Sequence, residues 1–299
     1  MKYRRSAVFT ASVTIMLLAF TAIASASSFS SVVVYGDSLS DNGNLYSATG
    51  HPPSPPYYNG RFSNGPVAVE QLATQLGVPL HDFAWGGATS GIGNYGDGGT
   101  QTSLGSFGLP GMLTELAAYN LSSVNVSNSL FVVWGGANDF LAGGSATQAV
   151  GDIDFIVSTL QSEGATHILV PNMPDLGLTP DYYGSIAATT YAEQFNASLK
   201  LSLPAGATYF DTFDLMHQIE NDPAAYGFTD VTDPCFNGIS VCANPSQYLF
   251  WDGFHPTTAA DTILADEFEM AATPEPSSIL MLATGLAGLA GLLRRRRVA

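Results

Sequence analysis

The chain alternates between short apolar runs rich in β-branched residues and longer stretches whose apolar positions return every three or four residues. Ser31–Tyr35, Leu130–Trp134, His167–Val170 and Thr208–Asp211 read as strands, with a weaker one at Val78–Leu80. Helical spacing occupies Pro66–Leu76, Gly111–Tyr119, Ala146–Ser162 and Gly184–Leu201, and a last helix runs from Thr257 to Met270. Asn64-Gly65-Pro66 supplies a cap and a proline at a helix start, where the missing N–H costs nothing. Strands separated by helices of this length predict right-handed crossovers and a parallel sheet covered on both faces. Ligands collect at the carboxyl ends of the strands in such a sheet. The first run stops at Gly36-Asp37-Ser38, which puts Ser38 at such an end. The Gly-rich polar segments Ser47–Gly60 and Gly86–Gly108 are long for plain connections, and read either as rim loops over a site or as surface.

The two ends obey other rules. Lys2, Arg4 and Arg5 precede an apolar run through Val13, Leu17 and Phe20 that closes on Ala24-Ser25-Ala26. This is the pattern of a secretory signal peptide over residues 1–26. At the other end the apolar stretch Ile279–Leu293 is fifteen residues long, about 22 Å as a helix and short of a ~30 Å hydrocarbon core. Arg294–Arg297 then favours the cytoplasmic side. Pro274-Glu275-Pro276, the apolar run and the arginines together resemble the PEP-CTERM sorting tail of Gram-negative bacteria. The resemblance implies transient membrane anchoring by a short transmembrane helix, and cleavage near Pro274–Pro276 by an exosortase-type enzyme. Release into the cell envelope or extracellular matrix would come next. A plain single-pass anchor is the alternative.

Between the ends, residues 27–273 suffice for one large α/β domain. Only Arg61 and Lys200 face 24 acids there, a formal charge of −22. Such a surface repels nucleic acid and anionic membranes and weakly disfavours a strongly anionic substrate; a merely solvated acidic exterior is the alternative, and no nucleic-acid partner is expected. Cys235 and Cys242, in CFNGISVC, read as a small disulfide-closed loop in an exported chain. No neighbouring Cys or His completes a zinc set. His51, His81, His167 and His217 likewise lack partners at ligand spacing. Asp152, Asp154, Asp222, Asp230 and Asp233 form no Asp-x-Asp-x-Asp-Gly loop, so no metal is predicted.

A serine becomes a nucleophile only beside a base that is itself oriented. The G-x-S-x-G elbow is absent around Ser38, so its partners must come from elsewhere. WDGFHP holds Asp252 and His255 three apart. A carboxylate at that spacing fits the Nδ1–H of an imidazole and leaves Nε2 for the serine; the same spacing also fits a capped helix start. Donors for a developing oxyanion are available in DFAWGGATS, at Gly86 and Gly87, and in WGGAND, at Asn138.

GDSLSDNGN, GRFSNGPVAVEQLA, FAWGGATS, GAND, PNMPDLGLTP and DGFHP, in that order, resemble the blocks of the GDSL/SGNH hydrolases, in the branch of lipase, lecithinase-like and hemolysin-like esterases. The resemblance spans Val32 to Glu269. It implies a three-layer α/β/α, flavodoxin-like domain with a parallel sheet, and no cofactor. It also implies Ser38 as nucleophile, His255 as base and Asp252 as orienting acid. The amides of Ser38 and Gly87 and the side chain of Asn138 would form the oxyanion hole. Two positions depart from the pattern: Asp82 stands where Asn is usual, and Ala68 where a bulky aromatic is. Asp37 is expected to bond local turn amides, Asp41 and Asn42 to cap the helix or loop after the serine, and Asn44 and Asn64 to order loops. The reading is a monomeric, exported serine esterase or lipase acting on a small-molecule, lipid or glycan ester. Alternatives are a polysaccharide O-acetyl esterase, a matrix acyltransferase, or a catalytically silent surface-binding protein on the same scaffold.

Overall fold

The computed structural model describes residues 29–118 and 121–273, and its compact unit is Phe29–Ala272. The signal peptide expected over residues 1–26 and the short apolar helix expected in the C-terminal tail lie outside the described residues. The strands of the main sheet are β1 (Val32–Gly36), β2 (Leu80–Asp82), β3 (Leu130–Trp134), β4 (His167–Pro171) and β5 (Thr208–Phe210). They run in the order β2-β1-β3-β4-β5, and every pairing is parallel. This is the flavodoxin-like order, whose connections reverse direction beside β1 and open a crevice between the ends of β1 and β3.

The helices in chain order are α1 (Asn44–Thr49), α2 (Ala68–Leu76), α3 (Met112–Ala118), α4 (Ala137–Leu141), α5 (Ala146–Ser162), α6 (Ile186–Ser202), α7 (Thr212–Asn221) and α8 (Thr258–Ala272). Side chains alternate across a strand, and here both faces are buried. Val33, Tyr35, Phe131, Val133, Ile168 and Val170 face α5 and α6, where they meet Ile153, Ile156, Leu160 and Phe195. Val32, Val34, Leu130, Val132 and Trp134 face α2 and α8, where they meet Val69, Leu72 and Phe268. Each such aliphatic side chain contributes about 1.5–3 kcal/mol on burial. The result is three layers, with helices on either side of one sheet.

A smaller core joins α7, through Leu215, Met216 and Ile219, to Leu249 and Phe250. It lies beside a second parallel pair, β6 (Asp230–Pro234) and β7 (Tyr248–Phe250), which the apolar pattern does not announce. The second strand of the main sheet sits two residues later than its apolar run suggests, so His81 is inside it. Asn64-Gly65-Pro66 also works differently from a local cap. The helix begins at Ala68, and the Asn64 side chain instead accepts the Thr258 amide at 2.9 Å, at the head of α8. Ala68 is fully buried against the sheet, so the small residue there is a packing choice.

Candidate active site

β1 ends at Gly36 and the chain turns at once. The Asp37 carbonyl accepts the amides of Ser40 and Asp41, and the Asp37 carboxylate accepts the amide of Leu39. This turn lifts Ser38 out of the sheet while keeping it 7% exposed. Asp41 gathers the next segment: its carboxylate accepts the amides of Gly43, Asn44 and Leu45 and, across the crevice, that of Gly86. The Asn44 side chain donates to the carbonyls of Asp82 and Ala84. Asp82 accepts the amides of Asn42 and Ala84, so the departure from Asn serves the loop after β2.

The loop of His255 arrives from β7. Asp252 Oδ1 accepts the amides of Phe254 and His255 at 2.8 Å each, which folds the four residues into a tight turn. His255 Nδ1 lies 2.9 Å from both Asp252 oxygens, and His255 Nε2 lies 2.8 Å from Ser38 Oγ. The spacing is thus used both for turn amides and for the imidazole, while the head of α8 is capped by Thr257, whose hydroxyl accepts the Ala260 amide. Burial pushes the Asp252 carboxyl up. The charge of His255, its hydrogen bond and the two amides outweigh that and hold Asp252 below the ordinary carboxylate range.

Gly86 gives its amide to Asp41, whereas the amides of Ser38 and Gly87 have no acceptor among the described residues. Gly87 has φ 82°, and a Cβ there would lie 2.4 Å from Asn94 Oδ1. The buried Asn94 side chain is the reason: it donates to the carbonyls of Gly86 and Pro110 and so fixes the loop. Asn138, in the first turn of α4, donates from Nδ2 to the Ala88 carbonyl at 3.0 Å, leaving its second N–H. Ser38, Gly87, Asn138 and His255 all border one cleft of about 830 Å³, walled by Phe62, Tyr95, Tyr182 and Phe254.

Several residues that bear on the site carry no motif. Tyr57, in the Pro-rich segment, donates its hydroxyl to Asp252 Oδ2 at 2.8 Å. The buried Glu115 accepts the amides of Gly36 and Trp85 and so ties together the ends of β1 and β2. Ser63 donates to the Pro256 carbonyl and to Asp261. Through Tyr57 the first polar segment is a rim laid against the His255 loop. Its signal in the sequence is only its length. Cys235 and Cys242 are disulfide-bonded, and the flanking Phe236 packs on Trp251 and Tyr57. His217 meets Asp175 at 3.1 Å, away from the residues above. No group of three or more His, Cys, Asp or Glu that would hold a metal ion occurs among the described residues.

Comparison with known proteins adds a family to this geometry. Residues 32–268 match the GDSL-like lipase/acylhydrolase family. The chain belongs to that family. It is a GDSL-type ester hydrolase, and residues 272–297 match the PEP-CTERM protein-sorting motif. The chain is 31% identical over 300 residues to the phosphatidylcholine-sterol acyltransferase of Aeromonas hydrophila, covering 80% of this chain and 88% of that one. It is 27% identical over 266 residues to the thermolabile hemolysin of Vibrio parahaemolyticus, covering 79% and 62% respectively. A G-D-S-L family lipolytic protein from Veillonella parvula superposes with a TM-score of 0.47 at 12% identity, over 80% of this chain and 95% of that chain.

Proposed function

We propose that this GDSL hydrolase is an exported serine esterase working through Ser38, His255 and Asp252. The unbroken series Ser38 Oγ–His255 Nε2–His255 Nδ1–Asp252, with contacts of 2.8 and 2.9 Å, carries the reading. His255 Nε2 takes the hydroxyl proton as Ser38 Oγ bonds to the ester carbon, and Asp252 stabilises the imidazolium. The amides of Ser38 and Gly87 and the free N–H of Asn138 receive the oxyanion; one such donor is worth ~10²–10³ in rate. Collapse breaks the carbon–alcohol bond while His255 returns its proton to the leaving oxygen. Water, deprotonated by the same nitrogen, then releases the acid and restores Ser38. No step calls on a cofactor.

The likeness to an acyltransferase supports a second outcome, in which an alcohol takes the acyl group in place of water. The sorting motif supports export, with removal of residues 1–26, recognition by an exosortase-type processing enzyme and transient anchoring. Envelope or matrix localisation as a monomer completes the reading.

Hydrolysis of a short-chain p-nitrophenyl ester tests it. Ser38→Ala is expected to lose at least about a thousandfold in kcat with an unchanged circular dichroism spectrum. A serine-directed phosphonate is expected to label Ser38 of the wild type. Retained turnover in Ser38→Ala would refute the mechanism, and an unlabelled wild type would favour a silent surface-binding protein.

A further inference from the structure

A second groove, of about 750 Å³ and open to solvent, is lined by His255 and Asp252 but not by Ser38. Tyr57, Phe236, Asn237, Asp181 and Gly253 line it, and it shares Asp181, Phe254 and His255 with the cleft over Ser38. The two spaces therefore meet at the imidazole. That position matters chemically. The leaving oxygen of the ester must come within reach of His255 Nε2 to receive its proton, so the alcohol part extends past His255 while the acyl part stays by Ser38.

The groove's chemistry is specific. The Asp181 carboxylate accepts no hydrogen bond from the described residues, although its backbone amide is held by the Gly253 carbonyl at 2.9 Å. Gly253 lets it approach: a Cβ there would lie 2.2–2.4 Å from the three carboxylate atoms of Asp181. Asn237 Oδ1 is taken by the amides of Ile239 and Ser240, which leaves its NH₂ group to donate. Phe236 offers a half-buried ring whose position is fixed on Trp251, with 5.8 Å between centroids. The Cys235–Cys242 bridge closes the loop that carries Phe236 and Asn237.

From this geometry we propose that the groove is the site for the leaving alcohol, and that it takes a neutral, polyhydroxylated alcohol of the sugar class. The proposal rests on the Ser38–His255 reading above. Asp181 accepts hydroxyls, Asn237 donates to a hydroxyl or ring oxygen, and Phe236 meets the apolar face of the ring. A phosphate or carboxylate on the alcohol is rejected by Asp181 and Asp252, which both line the groove, in a domain of formal charge −22.

The test compares three acetyl esters on the full chain: 6-O-acetylglucose, 1-acetylglycerol 3-phosphate and p-nitrophenyl acetate. In the wild type, kcat/KM is expected to be higher for the acetylated sugar than for the anionic ester. In Asp181→Asn, the ratio of sugar to p-nitrophenyl ester is expected to fall about tenfold, and the anionic ester to gain relative to both. Asn237→Ala is expected to lower the first ratio alone. Unchanged ratios in Asp181→Asn, a wild type that ignores the sugar ester, or one that prefers the anionic ester overturns the proposal. The Ser38→Ala control keeps the two readings apart. Abolished turnover there with unaltered ratios in Asp181→Asn removes the alcohol site and leaves the nucleophile.

Discussion

Asp252 receives four donors, and three of them, the amides of Phe254 and His255 and the His255 Nδ1–H shared between its two oxygens, come from its own turn. The fourth, Tyr57, reaches it from 195 residues earlier. Burial and the neighbouring carboxylate push the phenol up, so it remains a donor at any working pH. A hydrogen bond to a charged partner is worth about 1.5–3 kcal/mol, and the remaining donors offset part of its loss. Tyr57→Phe is expected to lower kcat about tenfold with KM within twofold. It is also expected to raise the proton affinity of Asp252, so that loss of activity on the acid side sets in at higher pH. A kcat–pH profile checks both, and a variant with an unshifted profile would reduce Tyr57 to packing. Ser38, Asp252, His255, Gly87 and Asn138 are legible in the sequence because each sits in a short block with its own local geometry. Tyr57, Asp181 and Glu115 are not. Their partners are distant in the chain, and a lone Tyr or acid in a polar stretch has no period or spacing to mark it.

The elements are legible in proportion to how much apolar surface they bury. β1 and β3 are buried at every position and read directly. α5 matches its apolar spacing from Ala146 to Ser162. β6 is largely polar and partly exposed, β7 is apolar but only three residues long, and they pair with an irregular register between Asp230 and Pro234, so no alternation announces them. α7 does carry a signal in Phe213, Leu215, Met216 and Ile219, which come after β5 almost without a break. The disulfide loop belongs to this smaller subassembly. Cys235 donates its amide to the Phe250 carbonyl, and Phe236 its amide to the Trp251 carbonyl, directly before Asp252. A loop this short is worth about 2–3 kcal/mol by chain entropy, or roughly 5–10 °C in a domain of this size. Cys235→Ser/Cys242→Ser is expected to lower Tm by that amount in calorimetry. A fall below about 2 °C would mean that the backbone bonds to β7 hold the loop unaided.

At the scale of the molecule, the notable feature is how many carboxyl groups the fold buries. Burial raises Asp37 to about 6 and Asp139 to about 7, against ordinary values near 4. It also pushes Asp41 upward, and Asp82, Glu115 and Asp261 well upward. Amide and hydroxyl donors, such as Ser90 to Asp139, only partly offset the desolvation. Between about pH 4 and pH 7 the folded chain holds protons that the unfolded chain has released, so stability falls as pH rises through that window. Asp252 acts oppositely: its stabilising contribution is present above its unfolded value and is lost as pH falls through its depressed folded one. The two trends place maximum stability at about pH 4, and the growing negative charge of the ionised surface steepens the decline above it. Urea midpoints across pH 4–8 are expected to fall steadily from about pH 5 to about pH 7.5. Asp139→Asn, which mimics the neutral acid, is expected to flatten the part of that slope near pH 7. A midpoint that rises towards neutrality in the wild type would mean that these acids are ionised in the folded chain and are held by their donors after all.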